Sequence, residues 1–177
     1  MKKGFTLVEL LIVIGILAIL TAAVVVVLNP AELLRQARDA QRFSDLDSVK
    51  SAISLYLATV SSPALGESAY CMVGTTFDNG KTCTALTSTA VNGTGWVGVN
   101  ISAASGGSPL ASLPFDPVNN ASFRYGYDGV NSAATFELNA LLESTKYLTT
   151  EDKDGKDGGS DILYYEVGTD PGLDLGT

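Results

Sequence analysis

The sequence predicts an α+β chain: a long, kinked N-terminal helix, half transmembrane and half amphipathic, packed on a small antiparallel β-sheet head. Three observations predict it. Residues 10–28, LLIVIGILAILTAAVVVVL, carry one polar side chain, Thr21. The next thirty residues repeat apolar side chains in steps of three and four. Beyond Pro63 the composition turns to Gly, Ser, Thr and Asn with short apolar alternations.

The apolar stretch comes first. At ~1.5 Å per residue it spans roughly 29 Å as a helix, close to the ~30 Å hydrocarbon core of a bilayer. The run Val24 to Val27 forms helices poorly in water, but lipid requires every backbone group to be bonded internally. Lys2 and Lys3 precede the segment and no acid balances them before Glu9, so the N-terminus stays cytoplasmic and the rest is exported. The charge distribution agrees. The chain of 177 residues carries 11 basic and 19 acidic side chains. Residues 1–59 hold six and five of these, net +1, and residues 60–177 hold five and fourteen, net −9.

Asn29-Pro30-Ala31-Glu32 is a helix-start signal, with Asn at the cap and Pro at the first position. The segment after it places Phe43, Leu46, Val49, Ile53, Leu57 and Val60 on one face. Arg35, Arg38, Asp39, Arg42, Asp45, Asp47 and Lys50 fall mostly off that stripe. No loop residues separate the two helical parts, which predicts one continuous helix kinked near Pro30, with Gly15 a second place to bend. Ser61-Ser62-Pro63 ends the helix. Strands are expected at Trp96–Ile101, with Val97, Val99 and Ile101 on one side, and at Phe123–Tyr127. A turn at Asp128-Gly129 leads on to Phe136–Leu142, and a last strand covers Ile162–Val167. The amphipathic stripe would cover the sheet.

Several classes of function are excluded. There is no histidine, hence no Ser-His-Asp or Cys-His pair. Two cysteines cannot complete a zinc finger. A head of net −9 repels phosphates, so no direct nucleic-acid binding is expected from it. Carboxylates without a fixed partner do not identify a catalyst, and no enzymatic activity is expected.

The sharpest motif is Met1-Lys2-Lys3-Gly4-Phe5-Thr6-Leu7-Val8-Glu9-Leu10. A secretory signal peptide would have a shorter apolar core closed by a small-residue cleavage site, and neither is present. Instead a basic leader ends in glycine, and one carboxylate, Glu9, lies within an otherwise apolar segment. An ionised group at a helix centre in lipid costs roughly 2.5–3.5 kcal/mol, less near the end, and such a group has a partner or a function.

These residues resemble the class III signal of type IV pilins and pseudopilins: basic leader, Gly, then Phe-Thr-Leu-x-Glu. The resemblance implies four segments: a leader peptide 1–4, a transmembrane assembly helix 5–28, an amphipathic helix 29–60 and an exported β-rich head 61–177. It implies cleavage by prepilin peptidase between Gly4 and Phe5 and N-methylation of Phe5. Glu9 matches the glutamate that pairs with the N-terminal amine of a neighbouring subunit. The implied partners are membrane lipid before assembly, the inner-membrane assembly platform, and further copies of the chain in a helical homopolymer. The expected location is a membrane-inserted precursor, then an extracellular filament or the periplasm.

In the head, Cys71 and Cys83 bracket MVGTTFDNGKT, whose Asp78-Asn79-Gly80 is a tight-turn signal. Export into an oxidising compartment and the absence of a third cysteine favour a Cys71–Cys83 disulfide over two buried thiols. Residues 151–161, EDKDGKDGGSD, place five carboxylates among glycines. This reads either as a solvated acidic loop or as oxygen ligands for Ca²⁺, with Asp152, Asp154, Asp157 and Asp161 the candidates. It lacks EF-hand spacing. Major pseudopilins of type II secretion are similar in having a C-terminal acidic-glycine calcium loop, and Leu113-Pro114-Phe115-Asp116-Pro117 resembles their LPxDP segment. Sequons at Asn92, Asn100 and Asn120 arise readily by chance in a chain of this composition. The expected function is a type IV pilus subunit, with a secretion or competence pseudopilin as the alternative and a membrane-anchored binding domain as a third reading.

Overall fold

The computed structural model describes residues 4–66, 68–74, 76 and 82–175. The leader residues 1–3 and the Asp78-Asn79-Gly80 turn lie outside these. Helix α1 covers Leu7–Leu28 and α2 covers Pro30–Thr59. Five strands follow: β1 Tyr70–Cys71, β2 Thr84–Ala85, β3 Tyr125–Val130, β4 Thr135–Leu141 and β5 Tyr164–Gly168. The architecture is one long bent helix followed by a small sheet.

The bend is at Asn29, between the two helical halves. Asn29 adopts the left-handed conformation (φ 41°), which Asn tolerates better than most residues. Pro30 has no N–H to continue the hydrogen-bond ladder and opens α2 instead, where its fixed φ suits a first helical turn. The carbonyl of Asn29 then accepts from the N–H groups of Glu32 and Leu33. Gly15 lies inside unbroken α1.

The sheet has strand order β2-β1-β3-β4-β5. It is mixed rather than wholly antiparallel, because β1 and β2 run parallel. The Cys71–Cys83 disulfide links the end of β1 to the residue before β2, with Cα atoms 5.7 Å apart. The remaining pairs are antiparallel. The face bearing Tyr125, Tyr127, Phe136, Leu138, Ala140 and Val167 packs on Leu46, Val49, Ala52, Ile53 and Tyr56 of α2. Fully burying each large apolar side chain contributes ~1.5–3 kcal/mol. Phe43, half-buried, meets the rings of Tyr147 and Tyr165 edge-on at 5.0 and 4.6 Å.

Three sequence expectations change. Trp96–Ile101 forms turns leading into a short 3₁₀ helix, Ile101–Ala103, rather than a strand. Trp96, Val97, Val99 and Ile101 are all fully buried, so the apparent alternation has no solvent face. Trp96 Nε1 donates to the Pro114 carbonyl at 2.9 Å, and a Cβ on Gly98 would collide with the Tyr70 ring. Asp128 and Gly129 lie within β3, and the reversal is at residues 131–134. Gly129 is there for space: the Tyr127 hydroxyl occupies the position a Cβ would take and donates to the Leu65 carbonyl. The last strand begins at Tyr164, with Ile162 and Leu163 exposed before it.

Candidate assembly site

The extended residues Gly4-Phe5-Thr6 lead into α1, and Phe5 is 79% exposed. Thr6 caps the helix. Its hydroxyl accepts from the Glu9 N–H at 3.2 Å, while its own N–H and hydroxyl donate to Glu9 Oε2 at 2.9 and 2.7 Å. This reciprocal box satisfies two of the N–H groups a helix start leaves open. It also fixes the carboxylate beside the backbone of residue 6, one residue from the Phe5 nitrogen.

Behind this cap α1 is apolar all round. Its mean hydropathy over an 18-residue window is 3.2, and among the described residues none of α1 is buried by the rest of the chain. Twenty-two residues make a rod of roughly 33 Å, long enough for a bilayer. The Thr21 hydroxyl is spent on the Leu17 carbonyl at 2.7 Å, so its polarity is satisfied within the helix. An all-apolar, uncovered helix needs lipid or other helices around it.

A second constellation joins α2 to the head, and a stripe pattern does not reveal it. Arg42 and Asp39, expected off the apolar face, are fully buried. Arg42 Nε and Nη2 bind Asp116 bidentately at 2.6 and 3.0 Å, Nη1 binds Asp39 at 2.8 Å, and Nη2 reaches Glu143 at 2.7 Å. Arg38 also grips Glu143, at 2.8 and 2.5 Å. Asp39 in turn accepts from the N–H groups of Glu143 and Ser144, and Asp116 from those of Val118 and Asn119. Burial works against the Arg42 charge, but its bonds to Asp116, Glu143 and Asp39 outweigh that and hold its pKa above the usual value. The hydrogen bond from Arg38 holds the Glu143 carboxyl below its usual range. Burial raises the Asp45 carboxyl, which accepts from the buried Tyr125 hydroxyl at 2.8 Å. The motif Leu113-Pro114-Phe115-Asp116-Pro117 thus supplies an anchor for the helix through Asp116.

In the acidic loop, Asp157 accepts from the N–H groups of Gly159 and Glu166 at 2.9 and 2.6 Å. Asp161 accepts from the Leu163 N–H at 2.8 Å, and Asp152 pairs with Lys156 at 3.3 Å. Asp154 is buried with Oδ1 unpartnered. Burial raises the pKa of both Asp154 and Asp157. Among the described residues no three acidic, histidine or cysteine side chains gather closely enough to hold a metal ion, so these four do not converge as a ligand set. The sequon side chains of Asn92 and Asn120 are engaged in local turns with residues two and three positions on.

Compared with known proteins, the chain matches no curated protein and no solved structure. One family model does match, that of the prokaryotic N-terminal methylation motif, over residues 1–25. That span contains Gly4, Phe5, the Thr6–Glu9 box and most of α1. The chain therefore opens with the class III signal peptide motif of type IV pilin and pseudopilin precursors.

Proposed function

We propose that this chain is the precursor of a type IV pilus subunit, stored in the cytoplasmic membrane and polymerised through α1. The observation that carries the reading is the pairing of the methylation motif with a long apolar helix that nothing in its own chain covers. Prepilin peptidase cuts between Gly4 and Phe5, in the extended stretch before the helix. The new amine of Phe5 is methylated and then adjoins Thr6, whose N–H and hydroxyl hold the Glu9 carboxylate. In a low-dielectric bundle that carboxylate attracts the amine of a neighbouring copy, and the attraction sets the axial stagger of the subunits. Assembly exchanges lipid contacts along α1 for helix contacts, while the buried Arg42 cluster keeps α2 and the head in one orientation. No reaction is catalysed by the chain.

The C-terminal acidic-glycine loop favours a second reading, a pseudopilin of a secretion or competence system. Replacing Glu9 with Gln tests the shared mechanism. The variant should insert into the membrane and be cleaved, yet fail to polymerise; normal filament yield would refute the role of Glu9. Electron microscopy of sheared surface material, probed for this chain, separates the two readings. Abundant long fibres indicate a pilin, and their absence at native expression indicates a pseudopilin.

A further inference from the structure

Beyond α1, the large apolar side chains that the described residues leave on the surface gather at one end of the head. Leu33 and Leu34 (the latter 61% exposed) stand in the first turns of α2. Phe115 and Val118 flank Asp116, which Arg42 holds. Ile162 (76% exposed) and Leu163 precede β5, and the pairing of Leu141 with Tyr164 sets them beside the end of β4, where Arg38 holds Glu143. Among the described residues, Leu55, far up α2, is the exposed large apolar side chain that lies elsewhere. At the same end the Lys146 N–H donates to Glu32 Oε1 at 3.4 Å, which ties the segment after β4 to the start of α2.

This is the end from which α1 leaves the head, and α1 is itself apolar and uncovered. An apolar patch continuous with a membrane-spanning helix faces the lipid surface around that helix. Charge does not oppose the contact. Arg35, Arg38, Arg42 and Lys146 are matched here by Glu32, Asp39, Asp116 and Glu143, although residues 60–177 carry net −9. Asp161, next to Ile162, spends its carboxylate on the Leu163 N–H. We propose that in the membrane-stored precursor the head leans on the lipid surface, with Leu33, Leu34, Ile162 and Leu163 seated among the phospholipid headgroups and Phe115 and Val118 at the rim. The inference rests on the membrane storage proposed above, and polymerisation does not enter it.

The dimensions allow this seat. At ~1.5 Å per residue, Leu33 and Leu34 lie roughly 8–9 Å past Leu28, and Arg38 lies about 15 Å past it. The interfacial layer on each side of a bilayer is about 5–8 Å deep. With the sheet ~10 Å off the axis of α2, a lean of about 40° toward the head brings the sheet at the Arg38 level to roughly 5 Å above the hydrocarbon. Asn29, left-handed at the junction of the two helices, is the point at which the chain makes that lean.

The test uses the full chain in phosphatidylcholine–phosphatidylglycerol vesicles containing lipid with a nitroxide on its headgroup, a short-range quencher of tryptophan. Trp96 is buried and supplies a constant background. Leu34→Trp and Ile162→Trp should each add emission that the nitroxide largely removes, and Leu55→Trp emission that it leaves. All three positions are exposed, so folding is not at stake. Leu17→Trp, with the nitroxide moved to the acyl chain, reports insertion of α1. Quenching of Leu17→Trp with Ile162→Trp behaving like Leu55→Trp would overturn the seat while leaving α1 in the bilayer. No quenching of Leu17→Trp would overturn membrane storage and the seat with it. Emission from Ile162→Trp that changes with the number of chains per vesicle, and not with the nitroxide, would give the patch to a second copy and overturn the proposal too.

Discussion

Replacing Arg42 with Met should destabilise the head severely although the new side chain is apolar and of similar length. Arg42 is fully buried and contacts three carboxylates at 2.6–3.0 Å. Glu143 would still have Arg38, but Asp39 and Asp116 would keep only backbone N–H donors. Leaving buried charge uncompensated costs about 3–5 kcal/mol. At roughly 4 °C per kcal/mol for a head of this size, the Tm should fall by about 15 °C. Near-ultraviolet circular dichroism of the full chain in micelles reads this, because Trp96 and Tyr125 sit in the adjoining core. Arg42→Lys keeps the charge but not the fork that grips Asp116 while reaching Asp39, so about half the loss should remain. A fall below about 4 °C for Arg42→Met would refute the view that this cluster couples helix to head.

Other outcomes follow from the same contacts. Reducing Cys71–Cys83 reopens a loop of 12 residues and should cost about 3 kcal/mol, read as a lower Tm in reductant that is absent from a double Ala variant. Burial, with the nearby Glu137 and Asp157 charges adding to it, pushes the Glu166 carboxyl up to about 8 from 4.5. The native state then holds a proton that the unfolded chain releases. This stability is complete below about pH 4.5 and is lost as pH rises to about 8, and urea unfolding of Glu166→Gln should lack that fall. Gly98→Ala should lower the Tm by several degrees, since its Cβ meets the Tyr70 ring; an unchanged Tm would show that the ring can move aside.

The helical half of the fold and the N-terminal motif were legible in the sequence because their signals are local. The length of the apolar run, the three-and-four spacing of Leu46, Val49 and Ile53, and Asn29-Pro30 each act within a turn or two. The Cys71–Cys83 bond was legible because only one pairing exists. The helix-to-head cluster was not. Helical periodicity assigns Arg42 to solvent, and its partners Asp116 and Glu143 lie about 75 and 100 residues on. The fixed phrase around Asp116 was visible as a motif, but nothing local states that its carboxylate faces an arginine. Trp96–Ile101 misled because alternation implies two faces, whereas both sides of that loop pack into the core. Asp128-Gly129 reads as a turn by composition, and long-range packing of Tyr127 against Leu65 decides otherwise.

In the proposed function, processing and assembly meet at the N-terminal segment that carries the methylation motif, so its covalent state is the most direct test. Mass spectrometry of the membrane-extracted and surface-sheared protein reads that state. A mature chain beginning at N-methylated Phe5, with Glu9 retained, is expected. An intact Met1, or a chain cut within the apolar stretch near Ala23, would contradict it.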